Sequence, residues 1–225
     1  MSHYSFLHRC RPRGDFRVHQ LIEFLGLVKE AFRLSDLYDS KSRPIDVTEA
    51  GLWKIFEKAS RGRAPELGAT VDFFTLPPRM RDDNTVRIEI GTGHHPEKPF
   101  IDSYNLSMGD GKKVPDFRYF KKSIKIFKPF EAFLEEAKNE SRLDSYDRQQ
   151  GTKFSKPVII RAFHYLDAGM ARAVGGIDYC LKAPAWRVER FCEGVLIELV
   201  PNLFDSDDPE HVRVQEDVMA YFNML

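Results

Sequence analysis

His94 and His95, with Glu97 and Asp102 close by in the chain, bring together imidazole and carboxylate, a donor set suited to a divalent metal. Their spacing works against a shared ion. Adjacent residues of an extended chain point to opposite sides, and Pro96 and Pro99 mark a loop. Asp72 and Glu89 fall on two adjacent predicted strands, where a restriction-type nuclease would carry its metal-binding acids. That chemistry also needs a Glu-x-Lys pattern to set a lysine beside the scissile phosphate, but Glu89 is followed by Ile90 and Gly91. Asp72, Glu89 and the His94-His95 loop therefore define an alternative reading, a metal-dependent hydrolase or nuclease, with its site half assembled.

Nucleophilic and cofactor chemistry find less support. Cys180 and Cys192 lie in apolar contexts that read as strands, where a thiol behaves as a small buried hydrophobe. His164 would be the base for either thiol, yet Ala162-Phe163-His164-Tyr165 reads as a packed strand. Gly91-Thr92-Gly93 follows a predicted strand, but His94-His95-Pro96 stands where a dinucleotide-binding turn needs a glycine and a helix start. P-loop, nucleophile-elbow and His-Glu-x-x-His patterns are all missing. The expectation is a protein without catalysis, cofactor or metal.

Two charged stretches remain. Lys112, Lys113, Arg118, Lys121, Lys122, Lys125 and Lys128 are interleaved with Phe117, Tyr119, Phe120 and Phe127, a pattern found in nucleic-acid binders. It also fits an amphipathic element with buried rings and solvated lysines. The second stretch is acidic: Asp205, Asp207, Asp208 and Glu210 cluster at a predicted helix N-terminus, where acids meet the positive end of the helix dipole, and Glu216 and Asp217 follow. An acidic surface can compete with nucleic acid for a basic nuclease cleft, which makes these four residues the candidate contacts for a protein partner.

Composition narrows the classes. The chain has 225 residues with 34 basic and 34 acidic side chains, so no net field draws it to nucleic acid or to an anionic membrane. Neither direct nucleic-acid binding nor a membrane partner is expected. Its 3 cysteines are too few and too scattered for a disulfide framework. The first residues lack the charged-then-apolar signature of a signal peptide, and no run of about eighteen apolar residues is present to cross a bilayer. The expected location is cytoplasmic, and the expected organisation is one domain over residues 1–225.

The elements that would position these groups follow from periodicity. Tyr4 to Arg9 reads as a strand, followed by a helix capped by Asp15, with Val18, Leu21, Ile22, Leu25, Val28 and Phe32 on one stripe. A second helix runs from Thr48 to Ser60 with Leu52, Ile55 and Phe56 facing the core. Thr70–Leu76, Thr85–Ile90 and Ile101–Met108 read as strands, the second alternating Val86, Ile88 and Ile90 with polar residues. Pro115 to Gln150 reads as helical, with Phe130, Phe133, Leu134 and Ala137 as its stripe. Val158-Ile159-Ile160 begins a strand, and Ala168–Ala173 is a short helix. Gly175-Gly176 opens a hairpin that turns at Cys192-Glu193-Gly194, and a final helix after Asp208 carries Val214, Val218, Tyr221, Phe222 and Leu225. Without regular strand–helix alternation, the fold class is α+β with a mainly antiparallel sheet and helices packed on one face.

The C-terminal segments Val174-Gly175-Gly176-Ile177-Asp178-Tyr179, Glu193-Gly194-Val195-Leu196-Ile197, Pro201-Asn202-Leu203-Phe204-Asp205 and Pro209-Glu210-His211 resemble the bacterial immunity proteins of family 52, found in polymorphic-toxin and type VI secretion systems. The resemblance implies an α+β protein that binds and neutralises a cognate toxin, often a restriction-endonuclease-like DNase. It transfers no catalytic residues.

Overall fold

Tyr4–Cys10 forms the first strand, β1, with Phe6, His8 and Cys10 buried in strict alternation. The structure, a computed structural model, describes residues 3–13, 15–61, 69–77, 80, 85–92, 102–108, 114, 116–150, 156–157 and 159–225; side chains of 144–150 lie outside that description. Eight strands and seven helices form among the described residues, every determined strand register is antiparallel, and the fold is α+β. The chain divides into two compact units, one comprising His8–Pro129 and the other Ser2–Leu7 with Phe130–Leu225.

In the first unit, α1 (Val18–Phe32) buries Val18, Leu21, Leu25 and Val28 of the predicted stripe and Phe24 besides, whereas Ile22 and Phe32, expected on that stripe, are only half-buried. Its start differs from expectation. Asp15 is not the cap: Phe16 and Arg17 adopt left-handed backbone with φ of 48° and 50°, Arg17 becomes the N-cap, and Asp15 Oδ1 accepts from Arg17 N at 3.1 Å ahead of the helix. α2 (Glu49–Ser60) forms where the second helix is expected, with Thr48 just outside it as the N-cap, accepting from Gly51 N at 3.1 Å. It packs against α1 and against β2 (Ala69–Phe74). β2 pairs with β3 (Val86–Thr92), which pairs with β4 (Asp102–Met108), followed by the His8–Cys10 end of β1. α3 (Phe117–Phe127) packs on α1 and is capped by Asp116.

The second unit departs most from the sequence reading. The predicted long helix is broken: after α3 the chain forms β5 (Glu131–Glu136), then α4 (Ala137–Gln150). Phe133 and Leu134 therefore lie on opposite strand faces and not on one helical stripe, and every residue of β5 is buried. Tertiary burial on both faces overrides the helical propensity of Glu131, Ala132, Leu134, Glu135 and Glu136. The strand expected at Val158 starts later, as β6 (Phe163–Leu166); Ile160 uses its carbonyl to accept from Gln215 Nε2 at 2.9 Å, and Val158 lies outside the described residues.

α5 (Ala168–Ala173) has its predicted bounds and is capped by Asp167. Gly175-Gly176 leads into α6 (Ile177–Cys180) instead of a strand, so Cys180 is helical. Gly175 has φ of 115°, and a Cβ there would approach Tyr179 Cδ1 at 2.7 Å. The hairpin follows as β7 (Arg187–Phe191) and β8 (Gly194–Glu198), turning at Cys192 and Glu193. Gly194 already belongs to β8, and a Cβ on it would fall 2.0 Å from Leu166 O. The strand order in this unit is β1, β5, β6, β8, β7. α7 (Pro209–Tyr221) starts at the predicted place, buries Gln215, Val218 and Met219, and ends before Leu225, which is expected on it and is 59% exposed. Tyr179 and Tyr221 lock α6 to α7: each hydroxyl donates to the other's carbonyl, at 2.7 and 3.0 Å, with the rings stacked at 4.5 Å.

Candidate functional site

The acidic cluster forms the entry to α7. Asp208 accepts from Glu210 N at 2.9 Å, an N-cap that satisfies one of the helix's unpaired donors. Asp205 accepts from Asp207 N at 2.9 Å, and Asp205 N donates to His211 Nδ1 at 3.0 Å, so the loop is held by its own side chains. Below it Ser206 N donates to Glu136 Oε2 at 2.8 Å, and Tyr4 donates to Phe204 O at 3.1 Å.

The structure brings all four predicted contact residues together but neutralises much of their charge. Lys138 of α4 pairs with Asp207. Arg213 holds Glu210 through Nε at 2.9 Å and Asp217 through Nη1 at 2.7 Å, and Arg142 lies 3.2 Å from Glu216. Arg213 lowers the Glu210 carboxyl below its usual range by hydrogen bonding to the charged form. Leu203, 37% exposed, sits two positions before Asp205 and adds an apolar contact to this polar surface.

The alternative metal site assembles differently. Asp72 and Glu89 are direct cross-strand partners, as their predicted strands suggest. Between them lies Arg87, with Nε 3.0 Å from Asp72 Oδ1 and Nη2 3.1 Å from Glu89 Oε2, so a guanidinium occupies the space where an ion would bridge them. His94, His95 and Glu97 lie outside the described residues, and Asp102 is buried 3.5 Å from Arg17 Nε. Among the described residues no group of three or more His, Cys, Asp or Glu side chains is placed to hold a metal.

The two thiols differ: Cys180 is buried as expected, though on a helix and not a strand, and Cys192 is not. Cys180 is buried, and burial raises its thiol to about 11, which keeps it protonated at neutral pH. Cys192, expected to be buried, is exposed in the hairpin turn with φ of 50°. Of the basic segment, Phe120 and Phe127 are buried on α3 and Lys122, Lys125 and Lys128 face solvent, which is the amphipathic pattern; Lys112 and Lys113 lie outside the described residues.

Sequence reasoning missed a buried polar network in the second unit. Glu131, Phe133 and Glu135 share one face of β5. Arg161 donates to Glu135 Oε2 at 2.8 Å and lies 4.3 Å over the Phe133 ring. Asn139 donates to Glu135 Oε1 at 2.8 Å, and burial raises the Glu135 carboxyl against the pull of Arg161. His164 accepts from Arg161 N at 3.0 Å through Nδ1, which assigns the proton to Nε2, and Nε2 donates to Glu131 Oε1 at 3.0 Å. An imidazole–carboxylate pair can move protons, and here Arg161 is 6% exposed and His164 0%. The available signal was Glu131 within the apolar run from Phe130 to Leu134 and Glu135 directly after it, both of which a helical reading turns to solvent.

With this arrangement in view, comparison with known proteins is informative about fold. No family model matches the chain, and no curated protein matches it. The chain shares the fold of a type VI secretion protein. A solved structure titled "Pseudomonas aeruginosa T6SS protein PA0821" superposes with a TM-score of 0.54 at 9% identity, covering 96% of this chain and 72% of that one. No helix among the described residues is long and apolar enough to cross a membrane.

Proposed function

We propose that this protein is a non-catalytic immunity protein that binds a cognate type VI secretion or polymorphic-toxin effector, a restriction-endonuclease-like DNase, in the cytoplasm and masks its active site or DNA-binding surface. The observation that carries this reading is the fold shared with a T6SS protein across 96% of the chain. The resemblance of the segments from Val174 to His211 to immunity family 52 supplies the class. The buried state of the His164–Glu131 pair and the guanidinium between Asp72 and Glu89 count against catalysis at those two places. Asp205, Asp207, Asp208 and Glu210 are the proposed contacts, with Leu203 as an apolar anchor beside them. Tight neutralisation calls for about 1,600 Å² of total buried surface, so these residues form one part of a larger interface.

The test captures the tagged protein from its producing bacterium under conditions where the effector is expressed, and titrates the purified partner's DNase activity with it. Activity should vanish at one equivalent. A partner whose activity persists at excess, or no stoichiometric partner, overturns the reading. Asp207→Ser and Glu210→Gln separately test the surface: both should weaken binding and flatten its salt dependence. Unchanged affinity in both variants removes the acidic loop from the interface.

A further inference from the structure

The two outermost strands of the fold are finished differently. β2 is bridged on its outer side by Tyr38, which exchanges both backbone hydrogen bonds with Phe74 at 2.9 Å. β7 is the last strand of its order and, among the described residues, pairs with β8 alone. Because Phe191 and Gly194 flank a two-residue turn, the backbone groups of Phe191, Glu189 and Arg187 face β8 and those of Val188 and Arg190 face outward. Just before this strand Trp186 is 53% exposed and its N–H donates to Leu199 O at 3.1 Å, while its carbonyl, trans to the β8-facing N–H of Arg187, points outward.

We propose that β7 is a self-association edge through which two copies of this chain pair antiparallel about a two-fold axis at Val188. The charge order of the strand selects both the partner and the register. A two-fold axis at Arg187, Glu189 or Arg190 would place that residue opposite its own copy, a like-charge pair that opposes the contact. An axis at Val188 places Val188 against Val188, Arg187 of each copy against Glu189 of the other, and Trp186 against Arg190. The first contact is apolar, the second is an ion pair made twice, and the third sets a guanidinium on an indole, also twice. The same register aligns the outward groups: each Val188 N–H meets the other copy's Val188 carbonyl, and each Arg190 N–H meets the other's Trp186 carbonyl. Arg187 now pairs with its own Glu189 at 2.5 Å, and Arg190 with Asp178, so the charges are already oriented along the edge. An unprotected edge strand is a template for another strand, and this sequence suits its own copy.

Sedimentation velocity of the full chain across a concentration series tests the proposal. The expected result is a concentration-dependent rise from the 26.1 kDa monomer towards twice that mass. Arg187→Glu and Glu189→Arg should each weaken dimerisation at least tenfold, and the double exchange should restore it. Val188→Pro removes an outward N–H that β8 does not use and should give monomer with an unchanged thermal transition. If Val188→Pro fails to fold, the charge exchange decides. A wild-type chain that stays monomeric at every concentration, or a dimer indifferent to the single charge reversals, overturns the proposal.

Discussion

Among the described residues each unit buries one histidine completely, and the two solve the problem of an interior imidazole in different ways. His8, in the first unit, is ringed by Phe24, Phe120 and Phe127 at centroid distances of 6.1, 5.4 and 5.4 Å. Its hydrogen-bond partners are neutral: Tyr104 O at 3.2 Å from Nδ1 and Ser123 Oγ at 2.7 Å from Nε2. Desolvation lowers its pKa to about 4, against the opposing pull of the Tyr104 carbonyl. A carbonyl only accepts, so the neutral ring carries its proton on Nδ1 and accepts at Nε2. The Ser123 hydroxyl then faces two acceptors, His8 and Phe120 O, each 2.7 Å away. His164, in the second unit, holds the opposite tautomer and faces a carboxylate, with Arg161 and Glu135 completing a charged network. Equal burial thus gives an apolar lock in one unit and an ionic one in the other, and the chemical character of the neighbours decides which.

The largest test of this contrast is to break the ionic lock. Arg161→Met leaves Glu135 buried without its counter-charge and should cost about 3–5 kcal/mol in chemical denaturation. Glu135→Gln added to that variant should recover part of the loss, because the uncompensated charge disappears; no recovery would mean that the network acts through packing alone.

Acid sharpens the other side of the comparison. With the folded-state pKa of His8 depressed from 6.5 to about 4, the unfolded chain takes up the proton more readily between those values. The stability contribution is therefore fully present above about pH 6.5 and is lost as pH falls to about 4, for a total of roughly 3 kcal/mol. Melting curves of the wild type and His8→Gln over this window should converge on acidification. Parallel pH profiles would show that His8 does not titrate as its surroundings require.

The smallest effect is expected at Ser123. Ser123→Ala removes the hydroxyl facing His8 Nε2 and should cost about 1–2 kcal/mol, read as a shift in denaturation midpoint at constant slope. A neutral result would place the hydroxyl's proton on Phe120 O and leave the aromatic cage as the sole support of His8.

The proposed interface was legible to a useful degree. Asp208 before Pro209 is a local cap, so the sequence located the start of α7 and grouped the acidic residues at it. It did not show that Lys138 and Arg142 would offset acidic charge there, because Lys138 lies 69 residues from Asp207 and Arg142 lies 74 from Glu216. The network at Glu135 was invisible for a related reason: a glutamate in a run of good helix formers reads as solvent-facing until burial on both faces makes the segment a strand. β7 lies between these cases, since its sequence marks a hairpin but only the strand order leaves it at an edge.

What the sequence determined by itself was fixed within a few residues: most of the apolar stripe of α1, the place of α2, the start of α7, the bounds of α5, the two strands on either side of the Asp82-Asp83-Asn84 turn, the hairpin turn at Cys192-Glu193-Gly194, and hence the α+β class. Tertiary structure decided which polar groups are buried, which charges are already paired and which strand remains open. Local elements follow from side-chain periodicity and backbone hydrogen bonding, both short-range. Burial and charge pairing depend on which distant segments meet, and that is settled only when the whole chain has packed.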